Sequence, residues 1–389
     1  MLQTLEVDFW DNGSRHLPLI HNVHPYFGKF SSAIPNNAIT FFSKEGDTVL
    51  DPFCGCGTTL VEARVLGRHA FGVDINPLSC LISKVKSTPI SVDELANVNK
   101  MLYNVHEDIN LFYSQDTLSK RKIQTYEMLI PKFKNREHWF ESNVLNELGI
   151  IKAHIYALDN KDLRDFCLVA FSSIITKVSN QSQESRYSKV KKNITPSLAF
   201  HLFSENIEKM RQAIKDFDFI AKDVNTLVFN EDTKELRSIQ NDTIDLIVTS
   251  PPYFNSWDYN LYHRFRLLWL DMYTDQLRKM EIGAHLTHAY AENSIERYTK
   301  EMGECLSQFS RVLKRDKYCI VVNSNGILNG EIVDTNEIII NEAQNSGLVL
   351  EKRIPQKMLG PHFGRMKTLP EVRGSGKQKI EEVLIFSKH

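Results

Sequence analysis

Seven short runs rich in Val, Ile and Leu constrain this chain more than any other feature of its sequence. They are Thr48–Phe53, His69–Asp74, Leu227–Asn230, Ile244–Thr249, Tyr318–Asn323, Leu348–Ile354 and Glu382–Ser387. Several are apolar almost throughout, as expected of strands covered on both faces. Helical stretches such as Thr58–Leu66 and Ile295–Leu313 separate most of them. That alternation predicts a doubly wound α/β sheet. A long segment without helical periodicity joins the last two runs, which fits a reversed final strand.

The alternation stops between Val92 and Asp216, where helix follows helix: Leu95–Asn110, Glu137–Leu158, Leu163–Val178 and Ser197–Phe217. The expected organisation is a first part of the sheet domain at 1–91, a helical insertion at 92–216, and a second part of the sheet domain at 217–389. With 42% hydrophobic and 24% charged residues, the chain is neither disordered nor fibrous. Lys and Arg number 47 against 48 Asp and Glu, so an anionic partner must meet a local basic face. Two stretches offer one. Gln181–Asn193 carries Arg186, Lys189, Lys191 and Lys192, with Tyr187 able to stack on a base. Lys357–Ile380 carries Arg365, Lys367 and Arg373 among six basic residues, against the single acid Glu371. Joining a parallel strand to a reversed one, it should leave the sheet at the edge where the strand ends gather. A solvated loop is the competing reading.

No run of about 18 apolar residues occurs, so no membrane span is expected. The six cysteines show only one close pair, Cys54 and Cys56, without metal-site spacing. We expect no metal. No secretory signal is read at the N-terminus, so reduced thiols and a cytoplasmic location are expected.

Two turns carry the chemistry. Asp51-Pro-Phe-Cys-Gly-Cys-Gly-Thr-Thr59 follows the first strand and opens a helix. Gly55 and Gly57 permit a tight turn and close approach of a ligand, and the helix N-terminus behind them favours negative charge. Asp74 ends the second strand, where an acid can bond ribose hydroxyls. An adenosine-containing ligand is the favoured reading; a purely structural turn is the other. The dinucleotide pattern G-x-G-x-x-G is not met, because Thr58 and Thr59 follow the second glycine. The second turn is Ser250-Pro251-Pro252-Tyr253, directly after the fourth strand. Two prolines make it rigid and remove two N–H donors. Its carbonyls and the Ser250 hydroxyl can accept hydrogen bonds, and Tyr253 supplies a flat face. Acceptors beside a ring suit a planar base with an exocyclic amino group.

At these residues the chain resembles the amino-group DNA methyltransferases that use S-adenosylmethionine. Asp51-Pro-Phe53 with Gly55 and Gly57 looks like their D-P-F-x-G-x-G cofactor motif, and Ser250-Pro-Pro-Tyr253 like their [DNS]-P-P-[YFW] catalytic motif. The resemblance implies a Rossmann-like methyltransferase fold, a seven-stranded, mostly parallel sheet with the last strand reversed. It implies cofactor binding by Tyr26 and Lys29 of a segment closing over the methionine end, by Asp51, Phe53, Gly55, Gly57, Thr58, Thr59 and Asp74, and by Asp232 near the adenine. Serine in the first motif position is the form most associated with cytosine N4, which implies direct methylation of a flipped cytosine in duplex DNA. Adenine N6 is the alternative, and guanine N2 of a tRNA a more distant one. A restriction–modification or orphan methylation system is implied, with a restriction endonuclease for the same site as a conceivable partner.

Overall fold

The computed structural model describes residues 8–11, 18–90, 92–114, 125–184, 186–255, 258–284, 293–329, 331–356 and 381–389. The segment Lys357–Ile380, with Arg365, Lys367 and Arg373, lies outside them.

All seven apolar runs form strands of one sheet: β1 (Thr48–Asp51), β2 (His69–Asp74), β3 (Thr226–Asn230), β4 (Ile244–Thr249), β5 (Leu313–Ser324), β6 (Leu348–Pro355) and β7 (Glu381–Lys388). Their order across the sheet is β6-β7-β5-β4-β1-β2-β3. The pairs β1–β2, β2–β3, β1–β4 and β4–β5 are parallel. β7 runs antiparallel to both β5 and β6, so it is the reversed strand. Burial follows position. Every residue of central β4 is buried. Edge strand β6 alternates between more and less exposed residues, as a strand with one wet face does.

β5 begins five residues before the apolar run that predicts it. Its Lys314–Lys317 segment is polar and carries no strand signature. Pairing with β4 recruits it across an irregularity, Ile244 opposing Leu313 and Leu246 opposing Tyr318.

Helices fill the connections. α1 (Ala33–Phe42) precedes the sheet, and α2 (Thr58–Val65) and α3 (Pro77–Ser87) follow β1 and β2. α3 starts on Asn76, whose side chain accepts the Leu78 amide, with Pro77 in the first turn. The insertion supplies α4 (Val92–Ser114), α5 (Ser142–Tyr156), α6 (Lys161–Val178) and α7 (Leu198–Ile220). α7 therefore runs past the expected boundary at 216/217. After β4 come α8 (Tyr259–Trp269), the short α9 (Asp275–Met280), and α10 (Ser294–Val312); α11 (Thr335–Asn345) precedes β6.

The stretch Gln181–Asn193, expected as a loop, contains a hairpin of Gln181–Gln183 against Arg186–Lys189. Polar contacts hold it: across the strands the Ser182 and Ser188 hydroxyls meet at 2.6 Å, and within the first strand the Gln181 side-chain amide donates to the Gln183 carbonyl at 2.8 Å. A hairpin built from polar pairs leaves no apolar alternation to read.

The insertion shares a core with the helices that flank the sheet. One apolar cluster runs from Val105, Phe140, Leu148, Phe171 and Phe203 of the insertion into Leu78 and Ile82 of α3 and Phe265 and Trp269 of α8. Lys84 of α3 adds ion pairs to Asp162 and Asp165 of α6. Phe171 and Trp269 are fully buried and meet edge to face with ring centroids 6.0 Å apart. We therefore expect Phe171→Ala to cost about 3–5 kcal/mol, with tryptophan fluorescence and far-UV circular dichroism tracing one coincident urea transition. Two separated transitions would contradict a shared core.

Candidate active site

From β1 the chain moves outward to β2 and β3 on one side, and from β4 to β5 on the other. The strand order thus reverses between β1 and β4, and in open α/β sheets the ligand crevice lies at the carboxyl ends of the strands at that point. Both turns singled out in the sequence emerge there.

Asp51 joins them. It is 1% exposed. Its Oδ1 accepts the Thr249 hydroxyl at 2.7 Å and the Phe53 amide at 3.1 Å, and its Oδ2 accepts the Thr59 hydroxyl at 2.7 Å. The ends of β1 and β4 and the first turn of α2 meet on one carboxylate. Burial pushes that carboxyl up to about 6, against the pull of its hydroxyl and amide donors. Asp51 does not line the cleft; it fixes the two turns that do. Thr59 and Gly57 also lie behind the wall. Gly57 has φ +79°, and a Cβ there would stand 3.0 Å from Ser83 Cα, so glycine alone fits.

The cleft wall takes Phe53, Gly55 and Thr58 from the turn after β1, Asp74 and Asn76 from the end of β2, and Asp232 and Thr233 from the segment after β3. Ser250 and Pro252 come from the turn after β4. Tyr26 and Lys29 enter from the segment preceding α1. Tyr26 donates or accepts at the Ser79 hydroxyl, 2.8 Å away, and its ring lies over Gly55, where a Cβ would be 3.5 Å from Cε1. Lys29 is held by the His21 carbonyl at 3.1 Å and Asn22 Oδ1 at 3.2 Å. Asp74 accepts the Gly55 amide at 2.9 Å and the Asn76 amide at 2.8 Å. One oxygen of Asp74 therefore braces the glycine turn, and the group still faces the cleft. Burial raises its carboxyl to about 6.

The proline turn differs from expectation in one respect. The Pro252 carbonyl is not presented to the cleft unpaired; the Tyr298 hydroxyl donates to it at 3.2 Å. Tyr298 is buried on α10, beyond the reach of any local reading of the turn. Ser250 lines the cleft, and its hydroxyl donates to Tyr253 Oη at 3.3 Å.

Three further residues belong to the site. Tyr259, at the start of α8, stacks on Tyr26 with centroids 5.9 Å apart. Glu281 lines the cleft while accepting the Tyr259 amide at 2.6 Å and the Asn260 amide at 3.3 Å, so it caps α8 from outside the helix. Burial, with Asp258 and Asp74 nearby, pushes its carboxyl up to about 8. Glu381, the first residue of β7, accepts the Tyr253 hydroxyl at 2.8 Å. Asp258, the N-cap of α8, was recognisable as an acid before a helix; Glu281 and Glu381 had no local signal.

Of the basic residues in the hairpin region, Lys189 is exposed, with its ammonium 3.5 Å from His138 Nδ1, and Lys191 is exposed. Lys192 instead donates to the Thr176 carbonyl at 2.8 Å, at the end of α6. The backbone of Arg186 and Tyr187 lies in the second hairpin strand.

The geometry defines a class: a doubly wound α/β protein whose acid-lined cleft, at the strand-order reversal, faces a rigid Ser-Pro-Pro-Tyr turn. Comparison with known proteins narrows it. Residues 6–85 match the family model N6_N4_Mtase, described as DNA methylase. The chain is 29% identical to the Type II methyltransferase M.MvaI of Kocuria varians over 59% of its own length and 52% of that protein's. It is 24% identical to M.MjaII of Methanocaldococcus jannaschii over 82% and 75%, respectively. With M.BsoBI of Geobacillus stearothermophilus the identity is 25% over 80% and 63%. The matched part spans about half of M.MvaI and under two thirds of M.BsoBI. In these segments the chain is similar to amino-group DNA methyltransferases, with the N4 and N6 branches undistinguished.

Asp51→Ala leaves two buried hydroxyls and an amide without their acceptor. We expect a loss on the order of 2–3 kcal/mol in urea unfolding, and Thr249→Val, which removes one of the three donors, should lose less than half of that.

Proposed function

We propose that this chain transfers a methyl group from S-adenosylmethionine to the exocyclic N4 of cytosine in duplex DNA, after the base has left the stack. The observation that carries this reading is the meeting of the two turns on Asp51, which sets Ser250 and Pro252 in the same cleft wall as Gly55 and Asp74.

The cleft fits the cofactor chemically. Asp74 offers carboxylate oxygen at the position where a ribose would lie, and Tyr26 and Phe53 give flat apolar walls. Among the described residues, three acids, Asp74, Asp232 and Glu281, line it against one cation, Lys29. An acid-lined cleft suits a ligand bearing a sulfonium and an ammonium group. When bound, S-adenosylmethionine supplies an electrophilic methyl group.

The residues of this chain supply position and hydrogen bonding. An amino nitrogen conjugated to a ring is a poor nucleophile; the Ser250 oxygen, accepting one N–H, raises electron density on that nitrogen and aims its lone pair. Held beside Asp74 and Tyr26, the cofactor would supply its methyl group to that nitrogen, and the proton the nitrogen loses would pass to solvent water. No thiolate attack on the ring is needed: the cysteines Cys54 and Cys56 are buried in the cofactor turn, and burial pushes the Cys54 thiol well up. Lys29, Lys177 and Lys209 line an adjoining cleft on the insertion side, a cationic surface suited to phosphates. We assign residues 92–216 and the basic stretches to target recognition on the same grounds. Serine as the first residue of the turn favours cytosine over adenine. A paired endonuclease would share the methylated site.

Mass spectrometry of nucleosides from DNA incubated with protein and cofactor should show N4-methylcytosine; N6-methyladenine alone would move the assignment to the adenine branch, and methylation of RNA alone would abandon DNA. Asp74→Ala should weaken cofactor binding by about 10- to 100-fold, whereas Tyr253→Ala should leave it intact and abolish turnover. Equal loss of both in both variants would indicate misfolding. Cofactor affinity should also rise with pH between about 6 and about 8. Asp74 and Glu281 are held protonated by burial in the free cleft at the low end, and a cation favours their ionised forms. A flat calorimetric profile over that range would remove these carboxylates from cofactor binding.

A further inference from the structure

An acceptor serine has a difficulty that the turn alone does not solve. A hydroxyl carries one hydrogen and two lone pairs. To meet the N–H of a target base as an acceptor, its own hydrogen must point elsewhere, and a free serine rotates among three wells.

In this structure the hydrogen has a destination. Ser250 Oγ donates to Tyr253 Oη at 3.3 Å, and Tyr253 Oη donates to Glu381 Oε1 at 2.8 Å. The direction of the chain follows from the geometry: the Tyr253 hydroxyl donates to the Glu381 carboxyl oxygen and is left to accept from Ser250. Glu381 is also the best anchored of the three. It opens β7, opposite Ser324 of β5, and its carbonyl accepts the Gln356 amide at 2.8 Å. The strand order β4-β5-β7 brings it beside the proline turn across 128 residues of sequence. The Tyr253–Glu381 bond, at 2.8 Å against 3.3 Å for Ser250–Tyr253, is the firmer end of the chain.

We propose that Glu381 is a positioning residue for the transfer: by holding the Tyr253 hydroxyl it draws the Ser250 hydrogen away from the cleft and leaves the Ser250 oxygen facing the target amino group as an acceptor. This rests on the methyl-transfer reading above and adds to it a residue that lies outside both motifs. Burial raises the Tyr253 phenol well above its usual range, so the phenol stays protonated and able to relay the bond.

The test uses the full chain, duplex DNA and saturating S-adenosylmethionine under single-turnover conditions, with Glu381→Ala, Glu381→Gln, Tyr253→Phe and the double variant Tyr253→Phe/Glu381→Ala. Glu381→Ala and Tyr253→Phe should each slow transfer about 10-fold or more, with cofactor Kd and melting temperature little changed. The double variant should be no slower than the slower single one, because both remove one chain of bonds. Glu381→Gln keeps an accepting oxygen and should recover most of the rate. Wild-type rate in Glu381→Ala, multiplying losses in the double variant, or no recovery in a folded Glu381→Gln would each overturn the proposal. A readout independent of activity separates this from the methyl-transfer reading. In protein labelled at the tyrosine Cζ, the Tyr253 resonance should shift on Glu381→Ala. An unmoved resonance refutes the relay whether or not DNA is methylated; a shifted one with no methylation of any nucleic acid leaves the relay standing and refutes the transfer.

Discussion

A buried carboxylate is costly unless its lone pairs are taken, and Asp51 shows both the cost and its compensation. Its two oxygens receive an amide and a hydroxyl from its own turn and the helix that follows, and a second hydroxyl from Thr249, 198 residues away. Burial still raises its carboxyl to about 6 despite those bonds. What this arrangement secures is a distance. β1 and β4 would be neighbours through their ladder alone, with Val49 opposite Leu246 and Leu50 opposite Ile247. The carboxylate adds a fixed relation between the loops beyond the ladder, where strand pairing no longer specifies geometry. The glycine turn, the first turn of α2 and the proline turn all depart from this point.

The cleft that results is lined by acids, and burial keeps two of them above their usual range. Glu281 makes the helix α8 begin where it does, accepting amides that the N-terminus would otherwise leave unpaired. The same residue lines the cleft, so one carboxyl belongs both to a helix terminus and to the cleft wall. Tyr259, the residue whose amide it holds, stacks on Tyr26. The turns at the strand ends and the start of α8 are thus each held by one carboxylate, Asp51 behind the cleft and Glu281 on its wall.

The helical insertion is not a loosely tethered module. Its apolar residues pack into the same cluster as α3 and α8, and Arg266 of α8, almost fully buried, pairs with Glu184 at the hairpin turn. Its Nε also donates to the Ser172 carbonyl of α6 at 3.0 Å. The face carrying Lys177 and Lys209 therefore moves with the cleft rather than swinging over it, and any recognition surface on it would be preset relative to the proline turn.

Local information in the chain was enough for the seven strands, the reversed last strand, the insertion and the two chemical turns, because apolar period, glycine placement and proline pairs act within a few residues of themselves. That Asp74 lies on a cleft wall followed from its place at a strand end. Tertiary pairing decided the rest. The polar start of β5 became strand only because β4 lay beside it, and the polar hairpin after α6 closed on cross-strand bonds that leave no apolar pattern. Asp51 reads in sequence as a ligand contact, yet folding turned its oxygens inward to Thr59 and Thr249. The Pro252 carbonyl was taken by a tyrosine on α10, and Glu281 and Glu381 entered the site from single positions that nothing nearby marks. The physical reason is that propensity and periodicity are properties of short windows, whereas burial, and the hydrogen-bond partners that burial demands, are properties of how distant windows meet.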